Sequence, residues 1–502
     1  MNKKNILFIA YGDKSWIAGL YYVRNIMYSL FQNEETQNYF NVYLLVNNGY
    51  EQFFERMNGK YNFFTIKYEN KLNDKKLIEL CKKYSINAIF PVNRYIYKGL
   101  NDICIYWIPD FQHKYLEKIF SKKEINIRNR LFKYMVCNHK RLVLSSISSY
   151  NDYKLYYPDF LKNVYTIPFV SYIEEEIKEI NDEFVKSIIE KYNLKGKYFY
   201  IPNQFWMHKN HKIVFEAMNT LVNYKNINVN LVCTGYTEDY RNKDFFDSLK
   251  NYIKQNNLVK NIRILGFVSR NEQLAIMKNS LCLIQPSLFE GWGTGVEDGK
   301  ALDKNIILSD IPVHYEQKDE NSLIFNRYSS EDLINKMMYI LNKSREEDIH
   351  LSVRKTKERA KKYSYELVKL FNENLKINED NIYDEIICKL KKIFNNSSNR
   401  NIGIYGTGDH TKNMLNAYVD LIGNIDFKLY FFDSNSSKWG QEFYNSKVYA
   451  PEYIKNFDLD RIIISSYEYQ DEIYNTIKYL NKVEVEIVKI YKENEYNLFS
   501  NW

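Results

Sequence analysis

The sequence predicts an α/β protein made of three Rossmann-like units, on three observations. Strand-like apolar runs alternate with helical patterns along the whole chain, the signature of parallel sheets covered by helices. At 502 residues the chain exceeds what one hydrophobic core usually supports, and its 45% hydrophobic and 16% aromatic content is ample for packed cores. Two charged or polar stretches, SYIEEEIKEINDEFVKSIIEKYNLKGK (171–197) and FNNSSNR (394–400), interrupt the alternation. The expected organisation is an N-terminal unit over 1–170, a linker helix over 171–197, a second unit over 198–379 with closing helices from about 329 to 376, and a smaller third unit over 380–502.

In the first unit strands are expected at NILFIA, NVYLLV, NAIFPV, CIYWI, RLVLSS and VYTIPF. The second series is KYFYIPN, NVNLVCTG, IRILGFV, SLCLIQPS and NIILSD, each followed by a helical pattern of suitable length. The third unit opens at NIGIYGTGDHTKNML and continues with KLYFFD. Within the first unit, SKKEINIRNRLFKYMVCNHKR (121–141) carries Ile125, Leu131, Phe132, Met135 and Val136 at the spacing of an amphipathic helix.

The net charge of +8 is unevenly spread: residues 1–170 carry 25 Lys/Arg against 14 Asp/Glu, and residues 380–502 carry 14 against 18. A basic N-terminal face suits an anionic membrane surface, and a solvated basic face accounts for it equally. No nucleic-acid partner is expected. No run of about 18 apolar residues occurs. MNKKNILFIA passes from two lysines straight into a strand without a small-residue cleavage site, so a cytoplasmic chain, at most at the inner face of the membrane, is expected. The six cysteines stand singly with no C-x-x-C pair, which reads as free, mostly buried thiols.

The chemistry concentrates in PSLFEGWGTGVEDGKAL (286–302), where Glu290, Glu297 and Asp298 crowd a glycine-rich turn that opens a helix. Free N–H groups at a helix start favour anions, and carboxylates bind neutral hydroxyls. A nucleotide-sugar offers both a phosphate and hydroxyls. Upstream, IPNQFWMHKNHKIVFEA (201–217) supplies Lys209 between a strand and a helix, where a cation can neutralise a diphosphate. His208 and His211 stand three apart with no third ligand nearby, so solvent-facing or substrate-side roles are expected rather than a metal.

These stretches resemble the retaining family 4 glycosyltransferases of GT-B fold, over roughly residues 5–376. The family shows P-S-x-x-E-G-F/W-G, a second acid eight positions on, and S-D-I-P; this chain gives PSLFEGWG, Asp298 eight after Glu290, and LSDIP at 308–312 without a gap. The resemblance implies two facing Rossmann-like domains and a nucleotide-sugar donor, with a glycan, lipid-linked or protein acceptor and no required cofactor or metal. It implies Glu290 on donor-sugar hydroxyls, with Gly291, Trp292, Gly293 and Thr294 completing the donor turn. The ribose falls to Asp298, or to Glu297 one place earlier, which has the family's glutamate length. The family's arginine before the lysine is replaced by Gln204, which leaves diphosphate charge to Lys209 and backbone amides. Asp110 and His113, in CIYWIPDFQHKYL, match in type the His or Asp kept near the reacting sugar and acceptor. Gly19 corresponds to the family's first glycine loop, beside Trp16 and Tyr21, which packing explains as well.

The third unit carries a partial dinucleotide fingerprint: Gly406 and Gly408 between a strand and a helix, Thr411 in place of the third glycine, and Asp433 ending the next strand. As an alternative function this points to an NAD-linked oxidoreductase or epimerase of sugar nucleotides, but no Y-x-x-x-K or thiol constellation accompanies it. A docking and oligomerisation module that kept the fold is the preferred reading of this unit over nucleotide or sugar-nucleotide binding; a non-catalytic partner in a glycosyltransferase complex is a further reading of the chain, against which retained Glu290 and Lys209 count.

Overall fold

The computed structural model describes residues 3–11, 17–34, 36–69, 72–95, 100–239, 241–342, 349–372, 389–394, 401–421, 425, 427–466, 469–483 and 485–490. The chain divides into two compact units, Met1–Phe371 and Asn372–Trp502. The expected boundary at 379/380, Cys388 and Trp16 lie outside the described residues.

The first unit contains two sheets. The first has seven parallel strands in the order β3-β2-β1-β4-β5-β6-β7: β1 (Lys4–Ala10), β2 (Phe40–Asn47), β3 (Phe64–Tyr68), β4 (Ala88–Val92), β5 (Cys104–Ile108), β6 (Arg141–Leu144) and β7 (Val164–Thr166). The second has six in the order β10-β9-β8-β11-β12-β13: β8 (Tyr198–Ile201), β9 (Asn230–Cys233), β10 (Ile262–Ile264), β11 (Cys282–Gln285), β12 (Ile306–Ser309) and β13 (Ser322–Phe325). Both reverse direction beside their first strand, the doubly wound order that leaves a crevice at the strands' carboxyl ends. Strands β4, β5, β8, β11 and β12 are buried at every residue, because helices cover both faces; continuous apolar runs such as CIYWI and NIILS are the sequence consequence. Strands β3 and β13 escape the sequence reading. The first exposes Phe64 and lies at the sheet edge, so its pattern carries little hydrophobic signal.

The helices that matter for the site are α1 (Ala18–Phe31), α2 (Lys122–Asn138), α3 (Ile147–Tyr156), α4 (Glu174–Glu179), α5 (Asp182–Lys191), α6 (His211–Asn219), α7 (Arg270–Asn279), α8 (Thr294–Ala301), α9 (Pro312–Gln317) and α10 (Ile349–Phe371). Helix α2 starts in a capping box, Ser121 with Glu124, and buries Phe132, Met135 and Val136, leaving Lys122, Lys123, Arg130 and Lys133 exposed. The 171–197 stretch is two helices rather than one: Ile180 ends α4, and Asn181 caps α5 through Phe184 N–H. Helix α4 is held to α1 by a buried Arg24–Glu176 pair at 2.6 Å and by Tyr28 donating to Glu174 at 2.6 Å. The long α10 returns to the first sheet, where Phe371 meets Phe8, Phe40 and Phe90 edge-on and Arg141 donates to the Leu370 carbonyl at 2.8 Å.

The second unit has a mixed six-stranded sheet, β16-β17-β15-β14-β18-β19, comprising β14 (Asn401–Tyr405), β15 (Lys428–Phe432), β16 (Glu442–Phe443), β17 (Ser446–Tyr449), β18 (Arg461–Ile464) and β19 (Glu486–Lys489). All pairings are parallel except β16 with β17. Helix α11 (Asp409–Leu421) follows the glycine turn. Among the described residues no helix of either unit is long and apolar enough to cross a membrane.

Candidate active site

Between β8 and α6 the chain makes one tight turn over Met207–Lys209 and enters the helix through Asn210, whose φ of 53° is left-handed. This sets the Lys209 ammonium 2.5 Å from Glu290 Oε1, on the turn between β11 and α8. The same oxygen accepts from Ser287 Oγ at 2.6 Å and from Gln285 Nε2 at 2.9 Å. Three donors therefore converge on Oε1, while Oε2 has no partner among the described residues. Burial alone would raise the Glu290 carboxyl; Lys209 and the surrounding hydrogen bonds override it and hold it at about 2, fully ionised.

Helix α8 begins at Gly293 with no side-chain cap. Gln317 takes the Gly293 N–H at 3.1 Å, but nothing among the described residues accepts from Thr294 or Gly295 N–H, so the positive helix end is open beside Glu290. Gly291 must be glycine: a Cβ there would stand 2.4 Å from the Pro109 carbonyl oxygen and 2.9 Å from Asp110 Cβ. That approach carries the end of β5 onto the donor turn. It brings Asp110 into the electrostatic reach of Glu290 and Lys209; burial, opposed first by Arg128, pushes the Asp110 carboxyl above its ordinary range. Trp292 fastens the turn from the other side, donating Nε1–H to the Phe169 carbonyl at 2.9 Å.

Glu297 and Asp298, neighbours about 100° apart on α8, reach different partners. Glu297 is fully buried and accepts from Arg359 of α10 at 2.7 Å and from Gln317 at 3.1 Å, with Lys300 at 3.5 Å. Burial would raise its carboxyl; these cations bring it below the ordinary range. Asp298 is also buried. Arg270 grips both its oxygens at 2.6 Å, Ser171 donates to Oδ1, and the Arg270 guanidinium lies 4.8 Å from the Tyr21 ring. Asp298 thus faces the junction of α1, α7 and residue 171, whereas Glu297 faces the closing helix.

Several expected residues stand elsewhere. His113, in the short helical turn Gln112–Tyr115, is fully buried against α2, with Nε2 3.0 Å from Asn129 Oδ1 and its ring edge-on to Phe132. Burial lowers its pKa to about 4. Gly19 lies within the first turn of α1, not in the loop before it. Gln204 is in the loop after β8, its Oε1 buried without a partner among the described residues. The expectation of solvent-facing histidines is corrected for both: His208 is buried and His211 stacks on Phe205 at 4.3 Å, and burial keeps each neutral. Thiols are as read for Cys81, Cys104, Cys233 and Cys282, which are buried, and Cys137 is exposed. Sequence reasoning missed Gln285, Ser287, Ser171, Arg270, Gln317, Arg359 and His314; of these only Ser287 lay inside a quoted family motif, as the serine of PSLFEGWG.

In the second unit Gly406 has φ of 106°, and a Cβ there would stand 2.6 Å from the Ser465 carbonyl oxygen. The fingerprint acid is consumed locally: Asp433 accepts from Thr407 N at 2.9 Å and Oγ1 at 2.6 Å, from Asn435 N at 2.9 Å, and pairs with Lys438 at 2.9 Å. Among the described residues no three His, Cys, Asp or Glu side chains gather as a metal centre needs.

Residues 184–366, which hold Lys209, Glu290, Glu297 and Asp298, match the family of glycosyl transferases group 1. They form a group 1 glycosyltransferase domain. Residues 398–490 match the family C2185-like, N-terminal. The O-antigen chain mannosyltransferase RfbU of Salmonella typhimurium is 29% identical over 153 residues, 30% of this chain and 40% of that protein, so the chain spans two fifths of this curated relative's length. A glycosyltransferase from Rickettsia africae ESF-5 superposes with a TM-score of 0.51 at 17% identity, over 76% of this chain and 99% of that one. The E. coli trehalose-6-phosphate structure bound with UDP-2-fluoro glucose gives 0.52 at 11%, over 74% and 100%. At such identities the likeness is one of fold. The group 1 domain and the sheet before it have the GT-B arrangement.

Proposed function

We propose that this chain is a metal-independent, retaining glycosyltransferase of family 4, transferring a sugar from a nucleotide-sugar to a glycan, lipid-linked or protein acceptor in surface polysaccharide or glycoconjugate synthesis. The observation that carries the reading is Glu290, tied by three donors on one oxygen and open on the other, beside Lys209 and an uncapped helix start. In this reading Lys209 and the Thr294 and Gly295 amides take the diphosphate and stabilise its charge as the sugar leaves. Glu290 Oε2 accepts from a donor-sugar hydroxyl. Asp298 holds the ribose while sharing its carboxylate with Arg270, and Gln204 donates its amide N–H near the diphosphate. Asp110, brought across by the Gly291 contact, lines the acceptor side; His113, turned into α2, supports the wall behind it. Glu297 anchors α10 to the domain rather than touching donor.

The exposed lysines and Arg130 of α2 support attraction to anionic membrane surfaces at the cytoplasmic face, where such acceptors are met. The mannosyltransferase relative favours including mannosyl donors in the test. The experiment is a panel of UDP-, GDP- and dTDP-sugars, read by thermal shift and by donor hydrolysis with and without EDTA. Hydrolysis of one donor class that survives the chelator is expected. No response to any nucleotide-sugar, or activity abolished by EDTA and restored by manganese, contradicts the proposal.

A further inference from the structure

A hydrogen-bonded line leads away from Glu290 into the body of the domain. Ser287 Oγ donates to Glu290 Oε1 at 2.6 Å, and the carbonyl of the same Ser287 accepts from Ser309 Oγ at 2.6 Å. Ser309, the last residue of β12, faces His314 on α9: His314 Nδ1 lies 2.9 Å from the Ser309 carbonyl and 3.0 Å from its Oγ. A carbonyl only accepts, so Nδ1 carries the proton and Nε2 carries the lone pair. Since Ser309 Oγ spends its own proton on Ser287, it receives from Nδ1–H. Every donor in the line is thereby oriented one way, from the imidazole to the carboxylate. His314 is fully buried and its Nε2 has no partner among the described residues, so nothing but the Nδ1 contact fixes the ring by hydrogen bonding. Burial holds its pKa at about 4, and the ring stays neutral at working pH.

Resting on the proposed function, we infer that His314 is a positioning residue: through Ser309 and Ser287 it sets the turn that presents Glu290 Oε2 to the donor. It touches no substrate itself. The line explains why an otherwise inert histidine follows LSDIP at this spacing, since Pro312 starts α9 and places residue 314 back over Ser309.

The test uses the full chain and four variants: His314→Asn, whose amide N–H falls near Nδ1; His314→Gln, whose amide falls near Nε2; His314→Leu; and Ser309→Ala. Donor hydrolysis, nucleoside diphosphate affinity and Tm are read together. We expect His314→Leu, His314→Gln and Ser309→Ala to lose about 10- to 100-fold in kcat with affinity within about twofold, which corresponds to roughly 1.4–2.7 kcal/mol, while His314→Asn keeps most of the turnover. The acid limb of kcat should move upward in the impaired variants as Glu290 loses a fixed donor. Rescue by Gln instead of Asn, equal losses in kcat and affinity that follow Tm, or unchanged kcat in Ser309→Ala each overturn the inference. Histidine 15N shifts need no substrate. A neutral Nδ1–H tautomer for His314 is expected between pH 5 and 8, and an Nε2–H tautomer overturns the line even if no donor is found. A wild-type chain inactive on every donor but with the Nδ1–H tautomer overturns the proposed function and, with it, His314's service to Glu290.

Discussion

Two turns in this molecule look alike in sequence: strand, glycines, helix, acid. Around residues 286–298 and around residues 403–411 with Asp433, the same backbone device meets opposite electrostatic fates. The first turn leaves business undone. Among the described residues Glu290 keeps one oxygen open and the Thr294 and Gly295 amides of α8 lack acceptors. The second is closed on itself. Asp433 spends both oxygens on Thr407, Asn435 and Lys438, and Thr411 bonds Gly406 and Ser465; no buried unpartnered side-chain atom among the described residues falls between 401 and 490. A glycine motif alone does not separate a site from a turn; the open oxygen of Glu290 and the unaccepted amides at the start of α8 set the first apart, although Glu297 and Asp298 of the same stretch are partnered.

That contrast can be broken most forcefully at Glu290. Glu290→Gln keeps the shape and removes the charge, and turnover should fall about 10²- to 10³-fold at saturating donor; a loss below fivefold would remove the first turn's claim to chemistry.

The two acids of α8 sharpen the contrast inside one helix. Glu297→Ala strands Arg359 and should cost about 3–5 kcal/mol of stability with nucleoside diphosphate affinity unchanged. Asp298→Ala should weaken that affinity about ten- to a hundred-fold. Calorimetry of both variants decides, and the reverse pattern would show that Glu297 reads the ribose.

Acid should separate the units. His113, His211 and His314 in the first unit have pKa values of about 4, 3 and 4, against one such residue, His410, in the second. Below about pH 6.5 the unfolded chain binds protons on these rings that the folded chain refuses until about pH 4, so stability falls as pH drops through that window. Scanning calorimetry from pH 7 to 5 should show the first unit's transition falling faster; parallel shifts would contradict the burial argument. The smallest effect is expected at Asp433: Asp433→Ala should cost the second unit about 1–3 kcal/mol and leave nucleotide binding untouched.

Much of the fold was legible because parallel strands buried on both faces write themselves as apolar runs. CIYWI, YFYI and IILS could hardly be anything else, while β3 and β13, partly exposed at sheet edges, carry no such pattern. The Lys209–Glu290 pair was within reach of motif spacing, since each sits at a strand-to-helix turn of one sheet. Partners were not. Arg270, Ser171 and Arg359 come to the acids from helices and segments 28 to 127 residues away, and only the packing of α7 and α10 selects them. His208 and His211 misled because a polar residue in a polar loop suggests solvent, whereas Phe205 and the closing turn bury both.

The central claim is that the 286–298 turn with Lys209, and not the 403–433 turn, receives the nucleotide. Isothermal titration of UDP and GDP into the wild-type chain, Lys209→Ala and Asp433→Ala tests it directly. One nucleotide should bind the wild type and Asp433→Ala equally and Lys209→Ala about ten- to a hundred-fold more weakly. Binding lost in Asp433→Ala and retained in Lys209→Ala would contradict the account.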